Sequence, residues 1–387
     1  MSKNRGSSVI RRLEAGLLAV GTLWVAVVTA GSETVGGAVE ALREAAPVGV
    51  LRWELGDLWE RDGLSAAAAL TIGESALLAA ARGEVVELWS LERQEIAEED
   101  GETPEPVSTP VEETPLDGPG EAVDNGVAAK TLVPSDPDGY LIAGRVYVSN
   151  STKHSPSAEA VCGAFSARLS EDEPQILIVH THGSEAYTPV PGTDIVWSGD
   201  YRTTDYRFNV VKAGDEMAAV FGEAGISVLH DRTLYDYPSY SGAYDRSLAS
   251  IERYLEKYPS ISFVLDVHRD AIEDTQGNQY KVVSEIDGVG VAAQMSLVIG
   301  SDGSGLSHPD WMENLKLAAA IQEEALARYP TLMRPVLLRN SRYNQHATKG
   351  SLLVEVGAAG NSPEEARLAA RLFAETMITV LQAEAAG

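Results

Sequence analysis

Ile176-Leu-Ile-Val-His-Thr-His-Gly-Ser-Glu185 runs from large apolar side chains straight into two histidines and a carboxylate. An apolar run this short, with no polar residue inside it, is expected of a parallel strand buried on both faces. The polar residues then fall at the strand's carboxyl end. The pattern recurs twice: Ile261-Ser-Phe-Val-Leu-Asp-Val267 closes on His268, and Ser351-Leu-Leu-Val354 closes on Glu355. Ligands of open α/β sheets bind outside the carboxyl edge of the strands, so residues far apart in sequence converge there. His182, Glu185, His268 and Glu355 are therefore expected in one crevice. Two imidazoles and two carboxylates suit a divalent metal with one carboxylate to spare.

Working outward, Asn209–Phe221 has the amphipathic pattern of a helix closed by Gly225, and Ile226–Leu229 reads as a strand. Helix over 244–258, strand over 261–267, strand over 294–299, helix over 311–329, strands near 335–338 and 351–356, and a final helix over 363–381 follow. This alternation predicts an α/β fold: a mostly parallel sheet with helices on both faces, filling a domain over 139–387.

The remainder is organised differently. Lys3, Arg5, Arg11 and Arg12 precede an uncharged apolar stretch, Ala15 to Ser32. At about 1.5 Å per residue this stretch just spans a hydrocarbon core of roughly 30 Å. The basic flank sets the N-terminus of residues 1–32 in the cytoplasm and sends the rest across the cell membrane as a single-pass protein. The alternative is a cleaved signal peptide, with small residues at Thr29-Ala-Gly31. Residues 33–91 read as a partly helical stalk. Residues 92–138 are rich in Glu, Asp, Pro, Thr and Gly, as in Glu98-Glu-Asp-Gly-Glu-Thr-Pro-Glu-Pro106. With so few large apolar groups they are expected to form a disordered acidic linker.

With 57 acidic against 30 basic residues, nonspecific nucleic-acid binding is excluded as a principal role. The single cysteine, Cys162, rules out an intrachain disulfide and a Cys-rich zinc finger. His-x-x-Glu is weak evidence alone, since a chain with 7 histidines and this much Glu contains about one chance match. The conjunction with His268 and with a Glu embedded in Leu353-Val-Glu355-Val-Gly357 strengthens it, because a buried carboxylate needs a partner. A salt bridge from Glu355 to Arg269 or Arg342 is the plainer alternative. His180 competes with His182, although it starts two residues deeper in the sheet.

His180-Thr-His-Gly-Ser-Glu-Ala-Tyr-Thr-Pro189, Tyr201-Arg-Thr-Thr-Asp-Tyr206, His230-Asp-Arg-Thr with Tyr237-Pro-Ser-Tyr240, Asp266-Val-His-Arg-Asp-Ala271, Ser341-Arg-Tyr-Asn-Gln-His346 and Val354-Glu-Val-Gly357 closely resemble the stage II sporulation protein P family. The resemblance covers the domain from about Gly139 onward. It implies a fold similar to zinc-dependent N-acetylmuramoyl-L-alanine amidases and related carboxypeptidases. It also implies a membrane-anchored peptidoglycan hydrolase acting in septal wall thinning and engulfment, alongside the stage II D protein, a lytic transglycosylase, and the M protein.

Carried onto this chain, the family pattern puts Zn2+ on His182, Glu185 and His268 and makes Glu355 the catalytic carboxylate. Arg269, Arg342, Asn344 and His346 become candidates for substrate binding. Arg269 would hold a stem-peptide carboxylate, and the other three would hold the peptide or the transition-state oxyanion. Two alternatives remain: a noncatalytic wall-binding scaffold, and a metallopeptidase that acts only on stem peptides.

Overall fold

A computed structural model describes residues 123–386 apart from 135 and 275. The expected anchor, stalk and most of the linker lie outside the described residues, among which no helix is long and apolar enough to cross a membrane.

In chain order the elements begin with β1 (Ala128–Lys130), β2 (Leu141–Ala143), β3 (Val146–Asn150) and the short α1 (Ala158–Val161). Then come β4 (Ile176–Val179), α2 (Val210–Glu223), β5 (Val228–His230), α3 (Ala243–Lys257) and β6 (Phe263–Asp270). The chain continues through β7 (Tyr280–Ile286), β8 (Gly290–Ala293), β9 (Met295–Ile299), α4 (Trp311–Arg328) and β10 (Val336–Leu338). A 3-10 turn at Gln345–Ala347, then β11 (Gly350–Ala358) and α5 (Pro363–Ala386), complete it.

The main sheet has the order β2-β3-β10-β9-β11-β6-β4-β5. It is mostly parallel, as expected, with antiparallel joins only at β11–β9 and β2–β3. In β4, Ile176 and Ile178 enter the larger core, whereas Leu177 and Val179 pack with Ile251 and Tyr254 of α3. Both faces are thus covered, and the period of two along an all-apolar strand serves two cores at once. α5 packs against α2 and α4 over the larger core. Its start is a capping box: Ser362 Oγ accepts from Glu365 N, and Ser362 N donates to Glu365 Oε2, both at 3.1 Å.

The expected domain start at Gly139 falls inside the folded part. β1 pairs in parallel with β7, and Asn125 donates to Thr188 O at 2.8 Å and Gly360 O at 2.9 Å. The last part of the expected linker is therefore bound to the domain, with β1, β7 and β8 forming a second small sheet.

Candidate active site

β4 is followed by β5 on one side, and the chain then returns to place β6 on the other. The loops leaving β4 and β6 diverge there, opening a crevice at the carboxyl edge between them. His182 lies just past β4, and His268 is inside β6. Glu355 of β11 is in register with His268 on the adjoining strand. The strand then shifts register between Glu355 and Ala358, with Gly357 at φ 68°. A side chain at Gly357 would meet Ala293 Cβ at 2.8 Å, so glycine is required at that irregularity.

His180 and His182, two residues apart, have separate surroundings. His180 faces α2: its Nδ1 lies 3.0 Å from Val267 O and its Nε2 lies 2.8 Å from His230 Nε2. His230 Nδ1 is in turn 3.3 Å from Asp215 Oδ1, and Arg232 also pairs with Asp215. Past Val179 the chain leaves the strand and turns, which carries His182 over to the α3 side. There its ring stacks on Tyr240, with centroids 4.4 Å apart, and meets Tyr244 and His268 edge-on, both at 5.4 Å.

His268 sits between two carboxylates, with Nδ1 3.4 Å from Glu185 Oε2 and Nε2 2.9 Å from Asp266 Oδ1. The second approach is close but lies outside hydrogen-bond geometry. Asp266 also accepts from Thr181 N at 2.8 Å and Thr181 Oγ1 at 2.6 Å, clamping the end of β4 to β6. Burial alone would lower the His268 pKa, but Asp266 and then Glu185 hold it well above the usual imidazole value. Burial would raise the Glu185 carboxyl, whereas the Arg269 guanidinium and His268 hold it far below the usual carboxylate range. His182 is pushed down to about 4 by burial and by His268. Glu355 goes the other way, up to about 8, through burial and the nearby negative charge of Asp270.

Several of these groups are left with polar atoms unsatisfied. His182 Nδ1 and Glu355 Oε2 are buried with no hydrogen-bond partner. Such atoms are costly in a folded interior and concentrate where a ligand supplies the missing contact. Among the described residues, no three or more His, Cys, Asp or Glu side chains are placed so that they could hold a metal ion. In residue type the donor set nevertheless suits zinc. Imidazole and carboxylate are its usual ligands, and Asp266 behind His268 has the position of a carboxylate that orients a ligating imidazole. A divalent ion would also supply positive charge beside Glu185 and Asp266.

Arg269 is turned inward. Its Nε donates to Ala186 O at 3.1 Å, its Nη2 to Tyr201 O at 2.8 Å and its backbone N–H to Glu185 Oε2 at 3.2 Å. Arg342 donates to Ser307 O at 3.3 Å, and neither arginine forms the salt bridge to Glu355 weighed above. Asn344 donates to Tyr244 O at 2.7 Å and so fixes the first turn of α3 behind His182. His346 lies against His308, with ring centroids 6.4 Å apart, and no contact joins it to His182 or Glu355.

Sequence reasoning missed Asp266, Asp236, Arg202 and Tyr240 as parts of the site. Asp236 accepts from Ser184 Oγ at 2.6 Å and from Arg202 Nη1 at 2.5 Å. Asp266 had a usable signal, since positions two apart on a strand share a face and Asp266-Val-His268 has that spacing. Asp236 and Tyr240 lie in a loop, where no periodicity points inward.

The family model for Stage II sporulation protein P (SpoIIP) matches residues 94–378. The chain belongs to this family. The Stage II sporulation protein P of Bacillus subtilis (strain 168) is 25% identical over 217 residues, covering 53% of this chain and 50% of that protein. The chain thus spans about half the length of the curated SpoIIP relative it matches. Among solved structures it is similar to the N-acetylmuramoyl-L-alanine amidase AmiC2 of Nostoc punctiforme, with 12% identity and a TM-score of 0.33 over 56% of this chain and 99% of that one. An N-acetylmuramoyl-L-alanine amidase from Clostridium difficile 630 gives 12% identity and a TM-score of 0.34, over 56% and 99% of the two chains.

Proposed function

We propose that this SpoIIP-family domain is a zinc-dependent peptidoglycan hydrolase cleaving the amide between N-acetylmuramic acid and the L-alanine of the stem peptide. The observation that carries the reading is the convergence of His182, Glu185, His268 and Glu355, with buried polar atoms on His182 and Glu355 left unpartnered. Zinc, held by His182, Glu185 and His268, would polarise the scissile carbonyl and acidify water beside it. Of the two carboxylates in the group, Glu355 is the one whose pKa is raised, to about 8, which suits a carboxylate that takes a proton and gives it back. It would accept a proton from the attacking water and return it to the departing nitrogen. Asp266 keeps the His268 ring oriented, and Arg269 holds Glu185 and the following loop in place.

Family membership supports a role in sporulation. The setting follows from the sequence expectations: a domain on the outer side of the septal or engulfing membrane, tethered by its N-terminus and working with the D and M proteins of the same stage. Cleavage of peptide crosslinks by the same chemistry is the finer alternative. Digestion of purified peptidoglycan followed by mass spectrometry tests the proposal. Glycan strands freed of intact stem peptides are expected. Uncrosslinked muropeptides still joined to sugar would indicate an endopeptidase, and unchanged wall would favour a noncatalytic scaffold.

A further inference from the structure

Beside the crevice, large apolar side chains stand in water: Val196 is 78% exposed, Trp197 43% and Tyr201 38%. Singly exposed apolar residues are ordinary, but adjoining aromatic rings on a fixed backbone call for an occupant. The Trp197 and Tyr201 rings meet edge to face, with centroids 6.1 Å apart and planes at 73°. The backbone beneath them is pinned at several points. Ser198 N donates to Arg202 O at 2.8 Å, and Thr203 Oγ1 donates to Val196 O at 2.6 Å. Tyr201 has φ 48°, in the left-handed region that a residue with a side chain seldom adopts. Its carbonyl accepts from both Ala186 N at 2.9 Å and Arg269 Nη2 at 2.8 Å, which holds the strained unit in place.

The same contacts tie this loop to the candidate site. Arg269 reaches Glu185 through its backbone N–H, and Arg202 Nη2 lies 3.7 Å from Glu185 Oε1. Arg202 also packs over Tyr240, whose ring stacks on His182.

We infer that Trp197, with Tyr201 set edge to face beside it, forms a stacking platform for a pyranose ring of the glycan strand, so that substrate is gripped by its sugar beside the scissile amide. This rests on the peptidoglycan reading above. Equatorial substituents leave each face of a β-linked amino sugar lined with axial C–H bonds, a weakly positive apolar surface that matches the negative face of an aromatic ring. Such stacking needs no charge. A stem peptide carries carboxylates, and the exposed Asp194 and Asp200 on the same loop, in a chain of net charge −27, disfavour it at this surface.

The test is calorimetric binding to full-length protein carrying Glu355→Gln, with peptide-free glycan strands and free stem peptide titrated separately. Glycan is expected to bind, and Trp197→Ala to weaken it by about tenfold while leaving stem-peptide affinity unchanged. Trp197→Phe should restore most of the loss, and melting temperatures should match across the variants. Glycan affinity unchanged in Trp197→Ala would overturn the platform, as would glycan failing to bind while stem peptide binds through Trp197. Trp197-dependent glycan binding by a wild-type protein that releases nothing from intact wall would uphold the platform and sink the hydrolase reading instead.

Discussion

Two clusters of imidazoles and carboxylates flank the end of β4, drawn from nearly the same inventory and treated in opposite ways. In the first, His180, His230, Asp215 and Arg232 satisfy one another against α2, and Gly214 supplies the space: a Cβ there would stand 2.7 Å from both His180 Nε2 and His230 Nε2. In the second, His182 Nδ1 and Glu355 Oε2 have no partner. Burial pushes His180 down to about 3, helped by His230, and a neutral imidazole there fits its hydrogen bonds. Burial instead leaves Glu355 raised to about 8, beside Asp270. A satisfied network braces a fold, whereas an unsatisfied one at a sheet's carboxyl edge is poised for a ligand. The contrast separates structure from chemistry more sharply than the count of histidines does.

The largest effect that would test the contrast is on turnover. Glu355→Gln keeps the shape of the side chain but cannot take a proton, so wall digestion is expected to fall by about 10²–10⁴-fold with zinc retained. Residual digestion near the wild-type rate, measured by release of products from purified wall, would remove Glu355 from the chemistry.

A smaller effect probes the support behind His268. Asp266→Asn leaves the fold's clamp to Thr181 partly in place but removes the charge that orients the imidazole. Zinc affinity should drop by about 10–100-fold in competition with a chelator. Unchanged affinity would make Asp266 a purely structural residue, like the members of the His180 cluster.

The smallest effect concerns stability against pH in zinc-free protein. Because the folded pKa of Glu355 lies above its free value, its contribution is fully present below about pH 4.5 and is lost as pH rises through about 8. Melting temperature should therefore fall over that window in wild type and fall less in Glu355→Gln. Each 1 kcal/mol corresponds to about 2–4 °C in a domain of this size. Parallel pH curves for the two proteins would mean that the raised pKa has no energetic weight.

Much of this was legible in the sequence, for reasons that also mark where legibility ends. β4, β6 and β11 announce themselves because strands buried on both faces carry apolar runs, and the polar residues that close those runs stand out against that background. β1, β7 and β8 form a small separate sheet. Lys130 and Lys281 interrupt their apolar pattern, and β1 lies in a segment whose acidic surroundings read as linker. The Asp287-Gly288 turn joining β7 to β8 was the available cue, with Gly288 at φ 73°. In the site, the four principal residues follow from the ends of apolar runs, although β6 and β11 continue past His268 and Glu355. The inward turn of Arg269, and the separation of His346 from Glu355, depend on loop paths that no periodicity encodes.

The most direct measurement is zinc bound per folded chain after exhaustive dialysis, in wild type, His182→Ala and His180→Ala, with circular dichroism confirming that each is folded. The account predicts about one zinc in wild type, none in His182→Ala, and zinc retained in His180→Ala. Full zinc in His182→Ala, or its loss from a folded His180→Ala, would contradict the assignment of the unsatisfied cluster as the catalytic centre.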